Sequence, residues 1–308
     1  MLNSFQDILT AEPLVSVGIP TYNRPDGLRR TLECITGQTY QNLEIIVSDN
    51  CSPGPDNETV IWEFMARDRR IQYYRQGENK GLIFNFKFVL EKATGEYFMW
   101  AADDDIWDPP YIEALLGPLS KNKNHVTAFC PYAFVDMNDE LIGSTRFFDY
   151  SHRFLFLRIV KLCLFFDDGC IYGLHRTDIL KKVKFPIWWG INTKTPLNTA
   201  YPPIFYLIAS GGFVFIKTPP LWFNRLRINT QIRADHDSQI VTARGDILSE
   251  YFAFVLRKLN LLYECERSIW QGSRSSIEVI FAFVPLSFRF VYDCVRYIGW
   301  VVYHCLEK

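Results

Sequence analysis

The 308-residue sequence lacks the marks of a cysteine scaffold: its eight cysteines (34, 51, 130, 163, 170, 265, 294 and 305) include no C-x-x-C pair and do not cluster with the five histidines. This excludes a zinc ribbon and leads us to expect reduced, mostly buried thiols. Net charge is nearly absent at −1, so nothing electrostatic invites nucleic acid. There is no run of about 18 or more uncharged apolar residues, which argues against a transmembrane span. The opening "MLNSFQDILTAEP" has no basic segment followed by an apolar one, so a signal peptide is not expected and the cytoplasm is. What the chain does have is apolar substance. At 48% hydrophobic residues it can bury the core of one large domain or two small ones.

Its first third alternates two periodicities. "LVSVGI" (14–19) and "NLEIIVS" (42–48) are short apolar runs, each closed by turn-forming residues. Between them Leu28, Leu32 and Ile35 recur at i, i+4 and i+7, with Gly37 as a stop. Further helices over about 58–67 and 82–93 lead into strands at 71–75 and 96–101. Strands separated by helices predict an α/β fold with a mostly parallel sheet buried on both faces. In such sheets ligands gather beyond the carboxyl ends of the strands. The loops that fall there are "PTYNRPD", "SDNCSP" and "AADDDIWDP".

The last of these holds three consecutive carboxylates, Asp103, Asp104 and Asp105. Adjacent like charges repel, so a cation is expected among them. In an extended segment Asp103 and Asp105 would share one side. The bland alternative is a solvated acidic turn with Asp108 as a helix cap.

Four stretches, "VSVGIPTYNRPDGLRRTL", "QTYQNLEIIVSDNCS", "NKGLIFNFKFVLEKATGEY" and "DDDIWDP", resemble in order and spacing the nucleotide-binding half of family 2 glycosyltransferases, over about residues 13–116. The resemblance implies a GT-A-like sheet flanked by helices, with residues 1–120 as the nucleotide-sugar half, 121–235 as the acceptor half and 236–308 as a helical C-terminal region. It also implies a metal-dependent transfer of a monosaccharide from a nucleotide diphosphate sugar to a sugar hydroxyl, in bacterial surface polysaccharide assembly. By that likeness Asp104 falls on the most dependable metal-binding aspartate, Ala102 takes the first acidic position, and Asp103 and Asp105 supply further contacts. Hard oxygen ligands suit Mn²⁺ or Mg²⁺. Pro20, Tyr22, Asp49 and Asn50 are carried over to base and ribose, Tyr22 as a stacking face. Arg24 and Lys80 are phosphate candidates; Gly81 and Asn85 lie near the donor, as does Asp103.

The family's acidic pair before the Gly211–Gly212 segment is missing, since "NTAYPP" (198–203) has no acid. An inverting reaction needs a base at the acceptor hydroxyl. Asp168, in the apolar setting "FFDDGCIYG", is the candidate, ahead of Asp167, Asp235, His236 and Asp237. A retaining outcome stays open. Two other classes do too: a non-catalytic sugar-nucleotide-binding protein, and a nucleotidyltransferase, which would carry a Gly- and Lys/Arg-rich loop where this chain has "PTYNRPD".

Near the C-terminus Arg289, Asp293, Arg296, Trp300, His304 and Glu307 form one polar stripe on a helix starting near Pro285. The wide apolar arc left over suits a helix lying in the membrane interface, peripheral on the inner face of the plasma membrane and near a lipid-linked glycan acceptor. The alternative buries that arc against the catalytic domain or a second subunit in a homodimer.

Overall fold

The computed structural model describes residues 12–103, 105–136, 138–142, 149–165, 168–183, 200–225, 262–273 and 283–292. The first third folds as β1 (Val15–Thr21), α1 (Pro25–Thr36), β2 (Leu43–Asp49), α2 (Asp56–Met65), β3 (Ile71–Arg75), α3 (Leu82–Lys92) and β4 (Tyr97–Trp100). All four strands are parallel, with β1 between β2 and β4. The periodicity in α1 does what its spacing implies: Leu28, Leu32 and Ile35 are all fully buried. β1 extends through Pro20, although an end there is expected. Pairing with β4 stops at Gly18↔Trp100, while pairing with β2 continues to Thr21↔Asp49. The Gly18 carbonyl accepts from the Ala101 N–H, so even-numbered backbone groups of β1 face β4. The N–H that Pro20 lacks would therefore point to where β4 has already departed, and no ladder bond is lost.

Beyond β4 come β5 (Ile106–Trp107), α4 (Tyr111–Lys121), β6 (His125–Phe129), β7 (Tyr132–Val135), α5 (Leu155–Phe165), β8 (Leu174–Arg176), α6 (Thr177–Leu180), α7 (Tyr201–Ser210), β9 (Gly212–Phe215) and β10 (Trp222–Arg225). Helical segments at 262–272 and 283–292 follow as the expected C-terminal extension. The main sheet has the order β3-β2-β1-β4-β8-β6-β9, and β5-β10-β7 form a smaller one. Only β8 of the main sheet runs against its neighbours. Side chains alternate between two cores: Tyr97 and Met99 pack with α1, α2 and α4, while Phe98 and Trp100 pack with α3, α5 and α7. The sheet is thus covered on both faces, as its apolar strands require.

One buried ionisable group gives this core a pH dependence. His175 of β8 is fully buried, with Nδ1 2.9 Å from Thr127 Oγ1 and Nε2 2.9 Å from the Ile171 carbonyl. Burial lowers its pKa from 6.5 to about 4, partly offset by the Ile171 carbonyl. Between those values the unfolded chain binds a proton that the folded chain refuses, so stability is complete above pH 6.5 and falls as pH falls toward 4. A loss approaching about 1.4 kcal/mol per pH unit is expected in that window. Urea midpoints at pH 7 and pH 5 measure it, and a His175→Gln protein should lose the difference. An equal decline in that variant would assign the acid sensitivity elsewhere. Glu44 works in the same direction only at lower pH: despite desolvation, bonds from Ser16 and from Thr94 and Gly95 hold it below the usual carboxylate range.

Candidate functional site

The strand order reverses direction at β1 and β4, and loops from β1, β2 and β4 meet at that crevice. The β1 and β2 loops are knitted together by short polar side chains. Asp49, at the end of β2, accepts through Oδ1 from the Ser52 N–H (2.9 Å) and the Ser52 hydroxyl (2.5 Å). Ser52 Oγ in turn accepts from the Asn23 N–H at 2.7 Å and from Asn57 Nδ2 at 3.0 Å. Asn57 Oδ1 takes the Arg24 N–H at 3.1 Å, fixing the start of α1. Asp49 is fully buried, yet its Oδ2 has no hydrogen-bond partner among the described residues. Burial first, then the charges of Asp49 and Glu58, push the neighbouring Tyr73 hydroxyl up to about 12.

Asn50 organises the next loop. Its Nδ2 donates to Asn79 Oδ1 (2.8 Å) and the Gly81 carbonyl (3.2 Å), and its Oδ1 accepts from the Lys80 N–H (3.0 Å). Gly81 sits at φ +85, a conformation a side chain rarely tolerates, and there the chain turns into α3. Asn85 lies one turn on and is buried. Its Nδ2 bridges the carbonyls of Thr21 and Ser48, and its Oδ1 accepts from Ser48 Oγ at 2.6 Å, so it braces β1 against β2 from below. Pro20 is buried in β1, whereas the Tyr22 ring is 43% exposed at the rim. The Lys80 ammonium lies 4.8 Å above the Phe84 ring.

The acid loop is a turn, not the extended segment expected, for the Asp105 N–H reaches back to the Ala102 carbonyl at 3.5 Å. Asp103 and Asp105 consequently find different partners. Asp103 accepts from Thr21 Oγ1 at 2.8 Å and pairs with Arg24 at 2.9 Å. Asp105 accepts from Trp222 Nε1 at 2.8 Å and Asn224 Nδ2 at 3.3 Å. Asp104 lies outside the described residues, among which no three His, Cys, Asp or Glu side chains gather to hold a metal.

Trp222 is the site residue that sequence reasoning missed. It stacks on Trp107 at 5.4 Å and packs against Tyr132 and Tyr172 at 4.6 and 5.0 Å. No local pattern marks it, because 117 positions separate it from the carboxylate it serves. Thr21, Ser52 and Asn57 were also missed, although Ser52 sits three positions after Asp49, a spacing at which a capping aspartate reaches a backbone N–H. Asp168 is exposed and precedes the turn Gly169–Tyr172. Tyr172 touches Trp222, and β8 starts from this turn antiparallel to β4, so Asp168 lies toward the same sheet edge as the acid loop. Asp167, Asp235, His236 and Asp237 lie outside the described residues, as does the polar stripe beyond Arg289. Arg289 Nη1 donates to the Cys163 carbonyl at 2.9 Å, seating the 283–292 helix on α5 with Leu286 buried and Phe288 73% exposed. No helix among the described residues is long and apolar enough to cross a membrane.

Known proteins agree with this architecture. An uncharacterized glycosyltransferase of Rickettsia typhi is 32% identical over 128 residues, 41% of this chain and 39% of that protein. A Campylobacter jejuni protein, GalNAc(5)-diNAcBac-PP-undecaprenol beta-1,3-glucosyltransferase, is 32% identical over 119 residues, 38% of each chain. The chain thus spans well under half the length of these relatives. The crystal structure of S. aureus TarS residues 1–349 in complex with UDP superposes with a TM-score of 0.57 over 90% of this chain and 88% of that one, at 13% identity, which is a likeness of fold. The model of Glycosyl transferase family 2 matches residues 16–183, more than half of the sequence, and the chain belongs to that family.

Proposed function

We propose that the chain passes a monosaccharide from a nucleotide diphosphate sugar to a sugar hydroxyl on a glycan. The observation that carries this reading is the buried Asp49 oxygen without a partner. An unsatisfied buried carboxylate oxygen is costly, and an N–H of a base or a ribose hydroxyl would satisfy it. Tyr22 offers a ring face at the rim, while Asn50 and Asn85 hold the surrounding backbone in place. We assign residues 1–120 to the donor side and 121–235 to the acceptor side.

Consecutive carboxylates form an all-oxygen donor set, which fits Mn²⁺ or Mg²⁺. Asp104 would hold the cation, with Asp103 and Asp105 beside it. Such an ion supplies Lewis-acid stabilisation of the charge on a departing diphosphate. Arg24, spent on Asp103, fixes the acid loop against the β1 loop and is a poor phosphate ligand in this arrangement.

A lipid-linked acceptor is supported by the name of the C. jejuni relative and by the apolar residues exposed on α5 and the 283–292 helix, among them Phe156, Leu157, Phe288 and Val291. These also support attachment to the membrane surface. Screening nucleotide sugars for transfer and hydrolysis, with divalent cation and with chelator, tests the function. Turnover of one donor is expected; donor binding without turnover would leave the non-catalytic reading, and no binding would remove both.

Asp168 is our candidate base. Asp168→Asn should slow transfer about 100-fold or more with donor affinity nearly unchanged. An unaltered rate, measured beside donor binding by calorimetry, would transfer the role to another group or favour a retaining reaction.

A further inference from the structure

A cleft of about 760 Å³ opens at the opposite end of the main sheet from the donor loops. Its lining includes His125, the first residue of β6, Gly212, the first of β9, and Arg176, the last of the antiparallel β8. His125 and Gly212 are amino-terminal ends of strands that run parallel to β4, and Arg176 is the carboxyl end of the strand antiparallel to it, whereas the acid loop leaves the carboxyl end of β4. The volume lies within the roughly 300–1,000 Å³ typical of ligand sites.

Four cationic side chains line it, Lys123, Arg153, Arg158 and Arg176, together with the imidazoles of His125 and His152; burial and Arg176 lower the pKa of His125. Two of the cations are held in place by backbone carbonyls. Arg158 is 6% exposed and donates from Nη1 to the Gly211 carbonyl at 2.7 Å. Arg176 donates from Nε to the His125 carbonyl at 2.9 Å and from Nη2 to the Leu119 carbonyl at 3.2 Å. Among the described residues, two acids stand near these side chains. Asp178 lines the cleft but is 3.7 Å from Lys182, and Glu96, 3.4 Å from Arg176, is mostly in solvent.

A guanidinium keeps its charge when buried, and the His125 and Leu119 carbonyls orient that of Arg176 without cancelling its field. The floor is shaped by Gly211 and Gly212. A Cβ at 211 would come within 2.8 Å of the Asn124 carbonyl oxygen, so a larger residue there would push the start of β9 away from β6. Lys123 and Arg153 are exposed residues of the lining, the Arg153 guanidinium 4.3 Å from the centre of the Phe154 ring. Guanidinium groups held by backbone carbonyls, with exposed cations beside them, favour an anion rich in acceptor oxygens.

We propose that this cleft binds a phosphate-bearing group, a phosphomonoester or diphosphate, at a site separate from the acid loop. The phosphate could be carried by a soluble molecule or by a lipid headgroup, since Phe154, Phe156 and Leu157 stand exposed on the stretch that supplies Arg153 and Arg158.

Calorimetry with inorganic pyrophosphate on the full chain, in EDTA so that metal-dependent binding at the acid loop is silent, tests the soluble source. Vesicles of phosphatidylglycerol against phosphatidylcholine test the headgroup. Hydrogen exchange locates either ligand: protection is expected at 122–126 and 209–213, not at 49–52 and 79–85. A Lys123→Glu/Arg153→Glu protein, altered only at exposed positions, should bind about tenfold or more weakly. Pyrophosphate binding with this protection pattern assigns a soluble ligand, and selective phosphatidylglycerol binding lost in the variant assigns a headgroup. Binding of neither probe, equal binding by the variant, or protection confined to the donor loops overturns the proposal. Because the cleft is read out at its own residues, failure here leaves the donor reading intact, and the reverse holds as well.

Discussion

Asp104→Asn should reduce metal-dependent transfer by about 100-fold or more, a loss on the order of 3 kcal/mol in transition-state stabilisation. The size follows from what its neighbours are already doing. Asp103 accepts from Thr21 and Arg24, and Asp105 from Trp222 and Asn224, so neither can replace a lost charge at 104 without giving up bonds that shape the loop. The fold should survive, with melting close to wild type, because those four bonds remain. Asp103→Asn should instead lower both turnover and stability, since it weakens the tie to Arg24. Initial rates against Mn²⁺ concentration, with a melting curve for each protein, separate the two. Wild-type turnover by Asp104→Asn, with or without chelator, would end the metal-site reading.

Trp222 should give the largest change in stability. Its indole fills a fully packed cluster with Trp107, Tyr132 and Tyr172, and truncation of such a side chain to Ala costs about 3–5 kcal/mol. Trp222→Phe is the sharper probe. It keeps a stacking ring but removes the N–H that meets Asp105 Oδ2 in a buried setting, at a cost of about 1–3 kcal/mol. Activity should fall by more than stability predicts, because the acid loop loses the anchor that separates Asp105 from Asp103. Chemical denaturation gives the first quantity and rates at saturating donor the second. A Trp222→Phe protein with wild-type stability and rate would reduce the Trp222–Asp105 bond to an incidental contact.

Much of this was legible in the chain itself. Alternation and the i, i+4, i+7 pattern depend on neighbours a few positions apart, so they located β1 through β4 and the three helices between them to within about two residues. The same local grammar put the loops with Asp49, Asn50 and the acid cluster at one edge of a parallel sheet. Family likeness then suggested chemistry for them, and the family match over 16–183 bears out the likeness itself.

The roles within those loops were another matter, because they depend on which distant side chains arrive. Nothing near Asp105 says that Trp222 will reach it, and nothing near Arg24 says that Asp103, 79 positions later, will take its guanidinium. Asn85 follows Gly81 by one turn, but its bonds to the carbonyls of Thr21 and Ser48 join it to strands 64 and 37 positions away. The basic cleft is further still from the local record: its cations come from the α4–β6 loop, the approach to α5, α5 itself and β8, and meet only because β8 enters the sheet antiparallel between β4 and β6. The sequence by itself determined the strands, helices and chemical inventory of each loop, since short-range periodicity and turn chemistry act within a few residues. Which carboxylates are spent on protein partners, which oxygen of Asp49 is left waiting, and where the arginines converge were decided only by tertiary packing, where burial makes each polar group find a partner whatever its distance along the chain.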